Sequence, residues 1–149
     1  GSMQRKEQGF TLIELMITIA ILAIIATMAA PSFGNLIQKQ NLNRSTQELI
    51  GQLNNARSKA VLERRDVTVQ LNSLAADAPT QLNWASQDKT ILKSGSPTEI
   101  TFLLSGGVKN FAADINGKPF IICNESGGNK SKNISISLMG TIHVTEGTC

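Results

Sequence analysis

Gly9-Phe10-Thr11-Leu12-Ile13-Glu14-Leu15 opens the stretch that decides the fold, FTLIELMITIAILAIIATMAAPSF, Phe10–Phe33. Its 24 residues would cover roughly 36 Å as a helix, enough to cross a bilayer. Glu14 is the one ionisable side chain in it. Each Leu and Ile favours insertion by a few tenths of a kcal/mol, against about 2.5–3.5 kcal/mol for a mid-membrane carboxylate. The Leu and Ile that fill the run therefore outweigh Glu14, and insertion wins. Arg5 and Lys6 precede the run and orient its N-terminus towards the cytoplasm. A cleaved secretory signal has a shorter apolar core, and Ala29-Ala30 is followed by Pro31, a poor cleavage context. A plain anchor leaves Glu14 unexplained.

An ionisable group inside an apolar span is a functional candidate, normally with a partner. Glu14 stands near the positive end of the helix, which suits a carboxylate. If the chain is cut after Gly9, the new amine of Phe10 becomes a partner, reached more naturally between offset neighbouring chains than within one. The plainer alternative is an interfacial carboxylate solvated by lipid headgroups. Gly1-Ser2 (1–2) reads as a cloning scar, with Met3 as the native start and 3–9 as a short basic leader.

These residues, GFTLIEL after a basic leader and before a long apolar helix with Pro31, resemble the signal of type IV pilins and type II secretion pseudopilins. The resemblance implies cleavage between Gly9 and Phe10 by a prepilin peptidase, N-methylation of Phe10, and a part for Glu14, Phe10 and Pro31 in assembly. It also implies an inner-membrane subunit with a periplasmic head that passes into a pilus or pseudopilus.

Outward from this segment the chain becomes polar, rich in Asn, Ser, Thr and Gly. Pro31, lacking an amide donor, and Gly34 should kink or loosen the helix. Beyond them Leu42, Leu49, Ile50, Leu53, Ala56 and Ala60 recur at helical spacing, with Arg44, Glu48, Gln52, Arg57 and Lys59 on other faces. This predicts an amphipathic helix over 34–63 whose stripe packs on a sheet. From Asp66 the period becomes two: Val67, Val69 and Leu71 alternate with Thr68 and Gln70, the mark of a half-buried strand. Further strands are expected at Gln81–Ala85, Thr98–Leu104, Phe120–Asn124, Asn133–Leu138 and Thr141–Thr145. Gly- and Pro-bearing turns separate them; Asn116-Gly117 suggests a tight hairpin and Met139-Gly140 a turn or bulge. The expectation is α+β: a long helix, membrane-embedded over 10–33, packed by its second half on an antiparallel β-rich head, 64–149.

Cys123 and Cys149, the two cysteines, are too few and too far apart for a zinc site. On a polar domain beyond a membrane segment they read as one disulfide; two unlinked buried thiols are the alternative. His143 is the single histidine, the acids are scattered, and neither Ser105-Gly106-Gly107 nor Ser126-Gly127-Gly128 has the ending of a phosphate loop. No enzyme, cofactor or metal is expected. The net charge of +3 is dispersed: four Lys and three acids follow from Lys109 onwards. Lys130 and Lys132, read as part of a Gly/Ser-rich loop, with Arg64, Arg65 and His143, are the candidate contacts to double-stranded DNA, though they lack stacking aromatics.

Ser45-Thr46-Gln47-Glu48-Leu49, the segment Leu53–Val61 with Arg64, and Ile134–Gly140 are similar to the GspH/FimT group. This implies a minor pilin of FimU type that primes or joins the tip of a type IV pilus, with other minor and major pilins as partners. DNA uptake of FimT type is the alternative, and a GspH-type secretion pseudopilin the third reading. The DNA-binding branch carries Gly-Arg-x-Arg where this chain reads Gly140-Thr141-Ile142-His143, so both arginines are missing.

Overall fold

A computed structural model describes residues 11–149, excluding the side chains of residues 30–32. The expected scar, the leader and the Gly9–Phe10 cleavage site lie outside the described residues, as does the Pro31 side chain. Helix α1 spans Leu12–Glu63 and is continuous through positions 31 and 34. The chain divides into two compact units, one ending at Ile37 and the other covering Gln38–Cys149.

The second unit is built around the predicted stripe. Leu42, Leu49, Leu53, Ala56 and Ala60 are buried on one face of α1, with Ile50 packed at its edge. Two polar residues lie under the same face and escaped the apolar periodicity. Ser45 shares a hydrogen bond with Thr90 at 2.8 Å, and Thr46 Oγ1 donates to the Leu42 carbonyl at 2.7 Å. Each is buried, and each is satisfied.

Strand β1 (Val67–Leu71) follows after Arg64, whose φ of 54° ends the helix. Val67, Val69 and Leu71 are buried and the residues between them half-buried, as alternation requires. β1 is the centre of a three-stranded sheet with β2 (Gln81–Trp84) and β4 (Glu99–Phe102). A second sheet has the order β3-β5-β6-β7, with β3 Ile91–Leu92, β5 Phe120–Cys123, β6 Ser131–Ile136 and β7 Ile142–Gly147. Phe102, Phe120, Ile122 and Ile134 join the α1 stripe in a single core cluster. The result is the α+β architecture of pilins, a long N-terminal helix followed by an antiparallel β-rich region.

One pair departs from that pattern: β1 and β2 are parallel. Their connection is pinned to β2 by polar contacts, with Asn83 N–H donating to Asp77 Oδ1 at 2.8 Å and Ser73 N–H to the Trp84 carbonyl at 3.1 Å. Asn116-Gly117 does not close a hairpin. Phe111 and Ile115, four apart, anchor a short helix α2 (Phe111–Asp114) on the core, and the turn closed by Lys118 N–H on the Ile115 carbonyl leads on to β5. Met139-Gly140 does form the β6–β7 turn. Lys132 lies within β6, not in a loop, because Ser131–Ile136 pairs along its length with β7.

Cys123 and Cys149 form a disulfide that closes 26 residues and ties the C-terminus to the end of β5. Cys149→Ser should therefore cost roughly 3–4 kcal/mol in the chain-entropy picture. Urea unfolding followed by the fluorescence of Trp84, the single tryptophan, measures it.

Candidate assembly site

Helix α1 begins with Thr11 as its cap. Thr11 Oγ1 accepts the Glu14 N–H at 3.1 Å, and the Thr11 carbonyl accepts the Leu15 N–H at 3.0 Å. Thr11-Leu12-Ile13-Glu14 has the spacing of a capping box, which was present in the sequence and went unread. The glutamate thus stands in the first turn, where free amide donors and the helix dipole favour a carboxylate. Among the described residues it forms no ion pair.

Among the described residues the N-terminal part of the helix that Glu14 opens has no protein cover. Every side chain from Leu12 to Met28 is exposed, Leu12 and Met28 at 74%. Among the described residues α1 is the one helix long and apolar enough to cross a membrane, and none of its apolar window is buried. Two hydroxyls in the apolar stretch are satisfied locally: Thr18 and Thr27 donate to the Glu14 and Ile24 carbonyls at 2.8 and 2.7 Å. Such back-bonding lets a hydroxyl enter an apolar solvent. An exposed apolar surface of this size requires lipid or another protein against it.

The cations considered for DNA are not brought together. Arg64 and Arg65 follow the C-terminal end of α1, and Arg65 is paired with Glu63. Lys132 is paired with Glu146 at 2.6 Å, and the same carboxylate feels Lys39 and Lys130. Those lysines gather near the other end of the head helix, where Gln38 contacts Asn124 and Glu125. From Lys39 to Arg64 the helix rises ~38 Å. His143 is exposed on β7, opposite Ser135.

Sequence reading also missed what holds the loop before β6. Buried Asn124 accepts the backbone N–H groups of Glu125 and Lys130 on Oδ1, and a Cβ on Gly128 would come within 2.0 Å of that oxygen. Only glycine fits there. No three-member group of His, Cys, Asp or Glu with metal-binding spacing occurs among the described residues.

The prokaryotic N-terminal methylation motif matches residues 4–30. A fimbrial protein of Pseudomonas aeruginosa is 30% identical over 96 residues, 64% of this chain and 59% of its own. The type IV major fimbrial protein FimA of Dichelobacter nodosus is 39% identical over 64 residues, covering 43% of this chain and 40% of its own. The methylation motif and the likeness to these fimbrial proteins support the type IV pilin and pseudopilin superfamily. Fimbrial protein EcpB of Eikenella corrodens shares 50% identity over 44 residues, 30% of this chain and 28% of its own. The chain spans less than two thirds of the length of these relatives. No solved structure matches it.

The Lys132 ammonium donates to Glu146 and holds its carboxyl below the usual 4.5. A folded value below the unfolded one means that the pair stabilises above the ordinary carboxylate range and is lost as pH falls through the lowered value. Carboxyl NMR titration should place the Glu146 midpoint below 4.5, and Lys132→Ala should raise it.

Proposed function

We propose that this chain is a minor pilin, a structural subunit that primes or joins the tip of a type IV pilus through its N-terminal helix. The observation that carries this reading is the uncovered apolar helix opening on a capped carboxylate with no ion-pair partner in the described chain. A prepilin peptidase cuts after Gly9 and methylates the Phe10 amine. The subunit waits in the inner membrane, oriented by Arg5 and Lys6, with its head in the periplasm. On extraction the apolar side chains exchange lipid for the helices of other pilins, so burial is kept throughout. Glu14 then meets the Phe10 amine of a neighbour, and in a water-poor bundle that pair aligns the incoming helix.

The minor-pilin assignment rests on the likeness of Ser45–Leu49, of Leu53–Val61 with Arg64, and of Ile134–Gly140 to the GspH/FimT group. The absent Gly-Arg-x-Arg and the division of the cations between two ends of the head favour a structural part over DNA capture. The names of the relatives, fimbrial proteins and a type IV major fimbrial protein, support a pilus over a secretion pseudopilus.

Glu14→Ala should leave the chain in the membrane fraction but lower its recovery in sheared pili by tenfold or more, because losing one member of a buried ion pair costs about 3–5 kcal/mol. Immunoblots of the two fractions decide this, and equal recovery in pili refutes the reading. Gly9→Leu should block processing, seen by mass spectrometry as a chain retaining its leader and an unmethylated Phe10.

A further inference from the structure

The head carries two unlike surface features on opposite flanks of α1. The first is a groove of about 470 Å³ between Glu48, Gly51 and Asn55 on the helix and a wall formed by Leu74 and Trp84. Leu74 is 93% exposed, although it stands beside this groove. Trp84 at the wall bears a buried indole N–H that has no acceptor among the described residues. Gly51 leaves the helix bare, since a Cβ there would meet nothing within 4 Å.

The second feature is an apolar knob made of two adjacent turns. Leu104, Leu138 and Met139 protrude from it, each more than half exposed. Val108 N–H donates to the Leu138 carbonyl at 3.0 Å and holds the turns side by side. Behind them Arg57 Nε donates to the Gly106 carbonyl at 2.9 Å. A Cβ at Gly140, whose φ is +89°, would fall 2.6 Å from the same Nε.

Glu48 and Arg57 belong to none of the three salt bridges that involve their helix, nor to any other among the described residues. They are nine residues apart, about two and a half helical turns, and so face opposite ways with the core stripe between them. They cannot meet within one chain. Between two chains they are complementary in charge, as the knob and the groove are complementary in shape class.

We infer that the groove at Glu48 receives the Leu138–Met139 knob of a second copy of this chain, with Arg57 of that copy paired to Glu48. This deepens the subunit reading above and rests on it. Because the two patches differ, the contact is head-to-tail and can repeat without closing, as a filament requires. The helix rise sets the stagger between copies at ~14 Å along α1. Three half-exposed side chains fall well short of the ~800 Å² per partner of a self-sufficient interface. The contact therefore orients heads already gathered by their apolar helices. It also means that the priming complex holds at least two copies in succession.

The test uses the full chain, co-expressed with two different tags, in isolated membranes treated with a short bismaleimide. Gly51→Cys in one copy and Met139→Cys in the other should give a product bearing both tags, and Glu48→Lys in the first copy should reduce it several-fold. Asn55→Cys with Leu138→Cys is the second pair, and Ile17→Cys in both copies reports contact between apolar helices. An Ile17 product without either mixed head product overturns the head contact and leaves the subunit reading standing. Absence of both overturns both. A Gly51→Cys product with itself in place of the mixed one shows a two-fold contact and equally overturns the inference.

Discussion

An apolar helix left bare by its own chain constrains everything else in this protein. A soluble domain buries such a surface in its core; here the head completes its core with the second half of α1. The first half is exposed over Leu12–Met28, an apolar surface for which lipid and, in the proposed assembly, the helices of other subunits are the covers. Because both covers are apolar, transfer between them changes the hydrophobic free energy little. Under the proposed assembly, what distinguishes a correct neighbour from lipid is then a polar event, and Glu14 is the ionisable group in the apolar stretch. Its placement in the first turn, under the Thr11 cap, keeps the charge where the helix dipole already favours it.

The head solves a separate problem, that of fixing many short strands. A single buried stripe on α1 serves two sheets, and the loops are fastened by individual polar groups: Asp77 before β2, held by Asn83 of that strand, Asn124 before β6, and Arg57 behind two glycine turns. Only where a main chain passes very close to such a group does glycine become obligatory, as at Gly128 and Gly140. These fastenings leave the outer surface of the turns at Leu104 and Leu138 apolar and exposed.

The period of 3.6 over Leu42–Ala60 and the period of two over Val67–Leu71 were legible at once, because burial on one face imposes them directly. The pairing of Cys123 with Cys149 followed from count and context. The strand registers, the parallel β1–β2 pair and helix α2 were not legible, because they depend on which distant residues compete for the same core. Asn116-Gly117 illustrates this: the dipeptide favours a turn wherever it stands, but Phe111 and Ile115 decided what the turn connects. Ser45 and Thr46 were hidden for a related reason, since a hydroxyl satisfied by a neighbour is as acceptable in a core as a methyl group. Of the assembly site, Glu14 was conspicuous through its solitude, while the Thr11 cap lay in plain view as a Thr-x-x-Glu spacing. The DNA candidates were grouped by composition alone, and distance along the helix separated them.

The link between Cys123 and Cys149 bears on how the head carries load. β7 is the outermost strand of its sheet, held on one side only by β6, and such a strand ordinarily peels one hydrogen bond at a time when its end is tugged. Here the chain just beyond β7 is stitched to β5 on the far side of β6, so the three strands form a loop without a loose end. Tension applied to the C-terminus must break several hydrogen bonds at once or stop at the covalent stitch.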